Sequence, residues 1–573
     1  DGVRDRLIGY VLARYKFTDW LNLQARTATD FYNDTRFAKV GINTPGSTQG
    51  TLNNDKYSVK EDNSDVLLTA QGNLSKNISG LLSVGGNHRA YSQDHLGVAG
   101  SGFNIPNLYN ISNAKFVTAT YYPQRRVMNS AYFSGQLGYK NYLFLDVTGR
   151  NDWSSTLGVN NYSFFYPSVS GSFVFTDALK IPQSVLSFGK VRASYAEAGN
   201  DAGPYLTTAG YNLSSATYNG QSEASVSSSI PLANLKNELT KSYEFGTELK
   251  LFNNRFGIDF TYYHSSTINQ ITPVEISVAT GFATRLINAG QIDNHGIEIF
   301  ATGTPIRSAN FRWDITLNFS RNRSQVVSLA PGLATLTLLD TYDGATIEAT
   351  PGKPYGDIFG YDFMKNAAGQ KVLSSQGITQ PAAKQSVLGN IQPNWLGGIT
   401  NTVAFKGIEL SVLVDVRQGG QVFSYTKYNE MAGGTGAFTA NRTNLINDGV
   451  IEQPDGSYKK SDIKLFAQDY YASGGPWSGI ARPMVLNATY VALRQASLGF
   501  NIGNATWVKR TPFRTAKLSV VARNILYLYR DPEFKTMGIS PETAFNTSSA
   551  AQGAETVGIP TTRSLGFNLS FSF

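Results

Sequence analysis

The stretch Phe311-Arg312-Trp313-Asp314-Ile315-Thr316-Leu317-Asn318-Phe319-Ser320 decides the fold, because apolar and polar residues alternate through it without a break. Successive side chains of a β-strand point to opposite faces, so the stretch predicts a strand with one apolar and one polar face. The same alternation recurs in many segments of about ten residues, whereas strands of water-soluble proteins average five or six. Further examples are 143–150, 243–251, 256–263 and 408–417.

The composition fits a β-protein with much of its surface away from water. Charged residues make up 16% of the 573 residues, and Tyr and Phe are common at 31 and 33, whereas ordinary soluble domains carry about 25% charged residues. There is no cysteine, which excludes disulfides and thiolate metal sites. The net charge of +8 is spread along the chain without a basic block, which argues against nucleic-acid binding. No apolar run is long enough for a membrane-spanning helix.

The connections between the predicted strands alternate in length. Tight turns at Thr18-Asp19, 139–141 and Asn253-Asn254 take turns with long polar stretches. Short turns on one side and long loops on the other are typical of outer-membrane barrels. A soluble sandwich also alternates apolar and polar residues, but its strands are shorter. We therefore predict an all-β, antiparallel, transmembrane outer-membrane β-barrel, with long outer loops at 94–124, 200–238, 324–391 and 420–485.

The chain end and the strand count predict the direction of the strands. We count about 17 strands, from 7–18 to the amphipathic segment Arg563–Phe573. A final strand that closes on Phe573 resembles the signal read during barrel assembly, which predicts a periplasmic C-terminus. An odd count then places Asp1 on the extracellular side. Because free-standing bacterial barrels have even strand numbers, we expect the chain to begin in an outer loop of a larger protein.

Several short motifs occur in order and at consistent spacing along essentially the whole chain. They are Gly149-Arg150-Asn151-Asp152-Trp153-Ser154-Ser155 with 165–170, 288–298, Gly352-Lys353-Pro354-Tyr355-Gly356 with Gly360-Tyr361, 490–500, and Asp531-Pro532-Glu533. Together they resemble motifs of the SusC/RagA family of TonB-dependent outer-membrane transporters. Asn151 interrupts one motif and the position of Arg494 is shifted in another, but these motifs look structural.

The resemblance implies a 22-stranded barrel whose lumen holds an N-terminal plug. Residues 1–573 would then be the C-terminal portion of this one barrel domain, without the plug and the first strands. The implied function is TonB-dependent import of a bulky nutrient, a glycan or an oligopeptide, across the outer membrane. The implied partners are a SusD-like surface lipoprotein, TonB acting through the absent N-terminal part, and outer-membrane lipid, and the resemblance allows a dimer of transporter–lipoprotein pairs.

Two other functions stay open at this level. One is a siderophore or vitamin receptor without a lipoprotein lid, and the other is a non-transporting surface barrel that acts as an enzyme or adhesin. We find no catalytic constellation, no phosphate-binding loop and no nucleophile elbow, so no enzyme activity and no cofactor are predicted. His88 and His95 share one region, but polar loop residues are a better interpretation than a metal pair.

Aromatic residues in the predicted outer loops are the candidates for substrate binding. Trp153, Tyr470, Tyr471 and Trp477 fall there by our strand assignment. Aromatic rings can stack on sugar rings or hold a peptide in place. The competing interpretation is packing within the loop or against a partner. Function concentrates on loops that a rigid scaffold carries, so the long loops themselves indicate where substrate binds.

Overall fold

The structure is a computed structural model, and it describes residues 2–341, 344–475, 478–502, 508, 513–543, 553–558 and 561–572. Its main sheet holds 17 strands, which confirms the all-β class and the strand count. The strands are Gly2–Lys16, Leu21–Val40, Thr51–Asn73, Ile78–Phe103, Ala114–Tyr139, Leu143–Ser154, Ser163–Val174, Leu186–Asn200, Glu238–Leu251, Phe256–Ile268, Gln291–Arg307, Phe311–Ser328, Trp395–Phe405, Ile408–Gln418, Tyr490–Asn501, Thr515–Arg530 and Ser564–Ser572.

Helices are few and short. The described α-helices are Phe175–Ala178, Tyr425–Gly433, Ala467–Ser473 and Pro532–Met537. No helix within the described ranges is long and apolar enough to cross a membrane. Helices therefore add little to the architecture, and those of the long loops matter for the site described below.

The apolar faces of the main strands are open to the outside. Leu143 is 47% exposed and Leu410 is 45% exposed, although both belong to strands that are paired within the main sheet. A soluble sandwich would bury this face against a second sheet. An exposed apolar face repeated from strand to strand is the surface that a bilayer covers, as the sequence predicts.

The chain divides into two compact units. The first comprises Asp1–Phe173, Arg192–Tyr243 and Ser266–Gln291, and the second comprises Val174–Val191, Glu244–Ser265 and Ile292–Phe573.

The first unit is dominated by very long hairpins. Strands Ile78–Phe103 and Ala114–Tyr139 pair from Ile78 opposite Tyr139 to Phe103 opposite Ala114. At about 3.3 Å per residue this hairpin reaches roughly 85 Å, well beyond a hydrocarbon core of about 30 Å. The predicted outer loop 94–124 is therefore wrong, because most of it continues the hairpin and only 104–113 connects the strands.

The second unit shows the predicted contrast between tight turns and long connections. Strands Trp395–Phe405 and Ile408–Gln418 are joined by Lys406 and Gly407 alone. Both residues have positive φ, 47° and 89°, as two-residue hairpin turns with the right twist require. At the other end of the same strands the connections run for tens of residues and build the site.

The terminal strands lie close to their predicted positions. The first strand is Gly2–Lys16, a few residues earlier than predicted, and it pairs with Leu21–Val40. The last is Ser564–Ser572, which pairs with Thr515–Arg530 so that Ser572 lies opposite Thr515. Asp1 and Phe573, which carried the expectations about the chain ends, lie outside the described residues.

Candidate functional site

The long connections of the second unit fold together into one body. We call the described residues of 329–394, 419–489 and 531–558 the loop assembly. Polar loops of this length would ordinarily be unstructured unless they buried apolar side chains of their own. The loop assembly does so, and it has a hydrophobic core made of Ala345, Ile347, Ile358, Leu388, Ile391, Phe423, Ala481, Met484 and Ala554.

Small sheets surround this core. The largest is antiparallel and has four strands, and a second has three strands drawn from two connections. The four-stranded sheet contains Leu336–Asp340, Ala345–Ala349, Asp357–Gly360 and Ser386–Asn390, and the three-stranded sheet contains Val485–Asn487, Gln421–Ser424 and Ala554–Glu555. The three-stranded sheet joins 419–489 to 531–558, and the pairing of Val372-Leu373 with Val450-Ile451 joins 329–394 to 419–489. Backbone hydrogen bonds therefore make the loop assembly a single folded body.

A fully buried carboxylate sits where two of these connections meet. Glu555 is 0% exposed, and it accepts hydrogen bonds from the Ser424 hydroxyl and from the backbone N–H and hydroxyl of Thr426, the latter two at 3.0 and 2.8 Å. Ser424 also caps the helix Tyr425–Gly433, because its oxygen accepts from the Lys427 N–H. Glu555 therefore joins the segment 553–558 to the start of that helix.

A second polar network connects the loop assembly to three strands of the main sheet, Ile408–Gln418, Tyr490–Asn501 and Thr515–Arg530. Arg494 donates to Asp415 at 2.9 Å and to Glu542, while Tyr527 donates to Glu542 at 2.7 Å. Burial alone would raise the pKa of Glu542, but the hydrogen bonds from Arg494 and Tyr527 outweigh it and lower that pKa. The shifted arginine of the 490–500 motif therefore holds the loop segment around Glu542.

The Gly352–Gly356 motif also anchors the assembly. The Val326 N–H donates to the Lys353 carbonyl at 3.0 Å. This backbone hydrogen bond attaches the motif to the end of the strand Phe311–Ser328. Gly356 has φ of 83°, and a Cβ there would lie 2.5 Å from Ile391 of the core. The glycine is needed for both the turn and the close approach.

Asp357 gives the loop assembly a predictable response to pH. It is buried and accepts a hydrogen bond from Asn390 at 2.8 Å. Burial raises the pKa of Asp357 more than the Asn390 bond lowers it. An acid whose pKa is raised on folding is penalised once it ionises, so its penalty is absent below the unfolded pKa and complete above the folded pKa.

We therefore expect Asp357→Asn to make the loop assembly more resistant to unfolding and proteolysis at pH 7. Below about pH 4 the substitution should have no effect. The amide cannot ionise, and its oxygen still accepts from Asn390. Limited proteolysis at pH 7 should be roughly two- to fivefold slower than for the wild type. Asp448→Asn, at a carboxylate that is 95% exposed, is the control and should change nothing. Faster cleavage of Asp357→Asn at pH 7 would contradict the assignment.

In the first unit, the motif 149–155 forms a buried polar network. Asp152 accepts from Arg150 at 2.7 Å and from Tyr166 at 2.5 Å. Asp201 accepts from Arg126, from Ser154 at 2.5 Å and from Thr156 at 3.1 Å. The two carboxylates thereby fix the end of one strand against distant segments, and the network has a structural role.

Trp153 does not lie in an outer loop. It belongs to the strand Leu143–Ser154, next to the end of that strand. Side chains two apart share a face, so Trp153 lies on the same face as Leu143, Leu145 and Val147, which are exposed. A tryptophan at the end of an outward apolar face is typical of the aromatic girdle at a membrane interface. The strand assignment was wrong here because the strand runs further than the apolar alternation.

Of the remaining aromatic candidates, Tyr470 and Tyr471 lie in the loop assembly. Both sit in the helix Ala467–Ser473, half-buried and edge-to-face at a centroid distance of 5.0 Å. The Tyr471 hydroxyl donates to the Phe438 carbonyl at 2.6 Å, so this ring packs within the loop. Burial raises the pKa of Tyr470. Trp477 lies outside the described residues.

The two histidines weighed as a metal pair are separate. His88 and His95 are seven residues apart in one strand, which places them on opposite faces. His95 bonds to Asp55 at 2.8 Å and stacks on Tyr57, while His88 bonds to Asn129 at 2.7 Å. Among the residues that the structure describes, no group of three His, Cys, Asp or Glu side chains could hold a metal ion.

Comparison with known proteins agrees with this architecture. The family model described as TonB dependent receptor-like, beta-barrel matches residues 3–368. TonB-dependent receptor P26 of Formosa agariphila is 28% identical over 362 residues, which cover 57% of this chain and 35% of that protein. TonB-dependent receptor SusC of Bacteroides thetaiotaomicron is 29% identical over 232 residues, which cover 38% of this chain and 23% of that protein.

A solved structure shares the fold. The RagAB peptide transporter superposes with a TM-score of 0.78 at 19% identity, over 100% of this chain and 62% of that chain. This likeness concerns the fold alone. The chain spans about a third of the length of P26 and less than two thirds of the length of the RagAB structure.

Proposed function

Because the chain belongs to the TonB-dependent receptor-like β-barrel family, we propose that it serves TonB-dependent import of a bulky nutrient across the outer membrane. The observation that carries this proposal is the loop assembly. Its connections leave one set of strand ends and share a hydrophobic core and a buried carboxylate. Loops ordered in this way provide a preformed surface for a large ligand at the mouth of a barrel.

We propose further that residues 1–573 are the C-terminal portion of a barrel of 22 strands, with the plug and the remaining strands on the N-terminal side. The partial coverage of the relatives supports this, since the chain spans 62% of the RagAB structure and 35% of P26. Energy coupling to TonB would then reside in the N-terminal part. The C-terminus would lie in the periplasm and the loop assembly outside the cell.

The nutrient is a glycan or an oligopeptide, and a SusD-like surface lipoprotein covers the loop assembly. The likeness to SusC supports the lipoprotein partnership, and the fold of the RagAB peptide transporter is compatible with either substrate class. Purification from native outer membranes in mild detergent, followed by mass spectrometry of every polypeptide, tests the partnership. A co-purifying SusD-like lipoprotein is expected. Its consistent absence would favour a siderophore or vitamin receptor without a lid.

Tyr470 is the aromatic residue we expect to contact the nutrient. Its ring is half-exposed and, within the described structure, its hydroxyl has no hydrogen-bond partner, whereas the Tyr471 hydroxyl bonds to Phe438. Tyr470→Ala should weaken binding of the transported nutrient roughly three- to tenfold, the usual value of one aromatic contact. Isothermal titration with the purified transporter measures this.

Tyr470→Phe and Tyr471→Phe are the matched controls. The first keeps the stacking ring and should bind like the wild type. The second removes the bond to the Phe438 carbonyl, which should cost the loop about 1 kcal/mol of stability without changing affinity. Unchanged affinity in Tyr470→Ala would remove this residue from the site.

A further inference from the structure

The strand Phe311–Ser328 carries two arginines on its outward face. Exposure alternates from Ser324 to Val327, since Gln325 and Val327 are exposed while Ser324 and Val326 are buried, and Arg321 is exposed as well. The alternation continues the pattern that starts with the apolar residues of the same strand. Arg321 and Arg323 therefore lie on the same face as Phe319.

Contacts on the opposite face agree with this orientation. The Tyr263 hydroxyl donates to Asn322 Oδ1 at 3.0 Å, and Asn322 Nδ2 donates to Asn294 Oδ1 at 3.1 Å. A Cβ at Gly296 would lie 2.6 Å from that same hydroxyl. Asn322 thus points to the inner face, and its neighbours Arg321 and Arg323 point outward.

An aromatic pair marks the level of the membrane interface on this face. Phe319 and Trp395 lie with ring centroids 5.7 Å apart and an interplanar angle of 33°. Arg321 and Arg323 follow two and four residues further toward the loop assembly, or about 7 and 13 Å along the strand. Lipid headgroups occupy the layer just beyond the hydrocarbon, so both arginines lie at headgroup depth.

A cavity of about 610 Å³ opens beside Arg323. Among the described residues that line the cavity, Pro354 carries the only apolar side chain. None of these lining residues is acidic. The polar side chains around Arg323 include His295, Gln325, Gln392, Asn394 and Gln421. Amide groups next to a guanidinium supply several N–H donors to one ligand.

The charge on Arg323 is not neutralised within the described structure. Its Nη1 donates to the carbonyls of Asn322 at 3.2 Å and Pro393 at 3.3 Å, which fixes the guanidinium in place. Within the described ranges, no carboxylate lies at ion-pair distance from Arg321 or Arg323, although many other arginines of the chain form such pairs. Cationic donors fixed at an interface, with no internal anion, suit an external phosphate.

We propose that this cavity binds the phosphate of an anionic lipid of the outer leaflet. Phosphate oxygens would accept from Arg321, Arg323 and the neighbouring amides. The lipid's acyl chains would lie along the apolar face that continues through Phe319 and Leu317, which is 38% exposed. Free phosphate has the same oxygens but makes none of the apolar contacts, so the geometry favours the lipid as the source.

The test is lipid retention by the purified full protein, measured by native mass spectrometry. The probes are lipid A with its phosphates, the same lipid A after phosphatase treatment, and inorganic phosphate as competitor. The test variant is Arg321→Gln/Arg323→Gln. The control is Lys459→Gln/Lys460→Gln, which removes two charges from an exposed loop hairpin. Heat-modifiability on gels verifies that each barrel is folded.

We expect the wild type and the lysine control to retain phosphorylated lipid A, and the arginine variant to retain about tenfold less, as expected for the loss of charge-assisted hydrogen bonds. Equal retention of the phosphatase-treated lipid by the wild type would overturn the proposal, even if the arginine variant fails to fold. Full competition by millimolar inorganic phosphate would also overturn it, because the site would then take free phosphate. Arg321→Lys/Arg323→Lys should retain most of the binding.

Discussion

Replacing Glu555 by alanine is expected to unfold the loop assembly while the strands of the main sheet stay folded. The substitution leaves the Ser424 hydroxyl and both Thr426 donors without an acceptor in a fully buried place. Each such orphaned donor costs about 1–3 kcal/mol, so the local loss should be roughly 3–5 kcal/mol. Limited proteolysis should then cut within 419–489 and 553–558, while the barrel keeps its heat-modifiable migration.

Glu452→Ala is the matched control for this experiment. Glu452 is the exposed last residue of the strand Val450–Glu452 in the same loop assembly, so its loss should change the proteolysis rate by less than about twofold. Glu555→Gln keeps one acceptor oxygen, so its proteolysis rate should lie between those of Glu555→Ala and Glu452→Ala. If Glu555→Ala is as resistant as the wild type, Glu555 does not hold the loop assembly together.

Replacing Asp201 by alanine is expected to destabilise the first unit by about 3–4 kcal/mol, because it leaves Arg126 without its only described ion-pair partner. The Asp201 side chain is 1% exposed and also accepts from Ser154 and Thr156. Arg126 Nε is already buried without a partner among the described residues. Guanidinium-induced unfolding in detergent, followed by tryptophan fluorescence, should show the lower midpoint.

The neighbouring arginine provides the control. Arg125 pairs with Asp94 in an exposed bridge, with side chains 50% and 38% accessible. Exposed pairs contribute at most about 1 kcal/mol, so Asp94→Ala should shift the midpoint little. If Asp94→Ala and Asp201→Ala lower the midpoint equally, the buried Arg126–Asp201 pair contributes no more to stability than the exposed Arg125–Asp94 pair.

The strand count could be predicted because alternation with period two is a local signal that each strand carries by itself. Phe311–Ser320 and 408–417 show it directly, and both lie within strands of the structure. The ends of the strands could not be predicted in the same way. In 94–124 and at Trp153 the regular alternation of apolar and polar residues stops while the backbone pairing continues, so the alternation marks a strand end too early.

The fold of the loop assembly could not be predicted because its contacts are distant in sequence. Glu555 lies about 130 residues after Thr426, in a segment of small and polar residues that has no periodic pattern. Asp201 similarly meets Arg126 across 75 residues. The family-like motifs did point to Arg150, Asp152 and Gly356, but not to the partners that give each its role.

Uptake of a fluorescent nutrient by living cells tests the central claim most directly. The nutrient is the labelled glycan or oligopeptide that supports growth only when the gene is intact. Uptake is compared in cells with and without TonB, and with a protonophore, at equal surface levels of the transporter. We predict that uptake falls to background without TonB or the proton gradient. Unchanged uptake in cells without TonB would contradict the account.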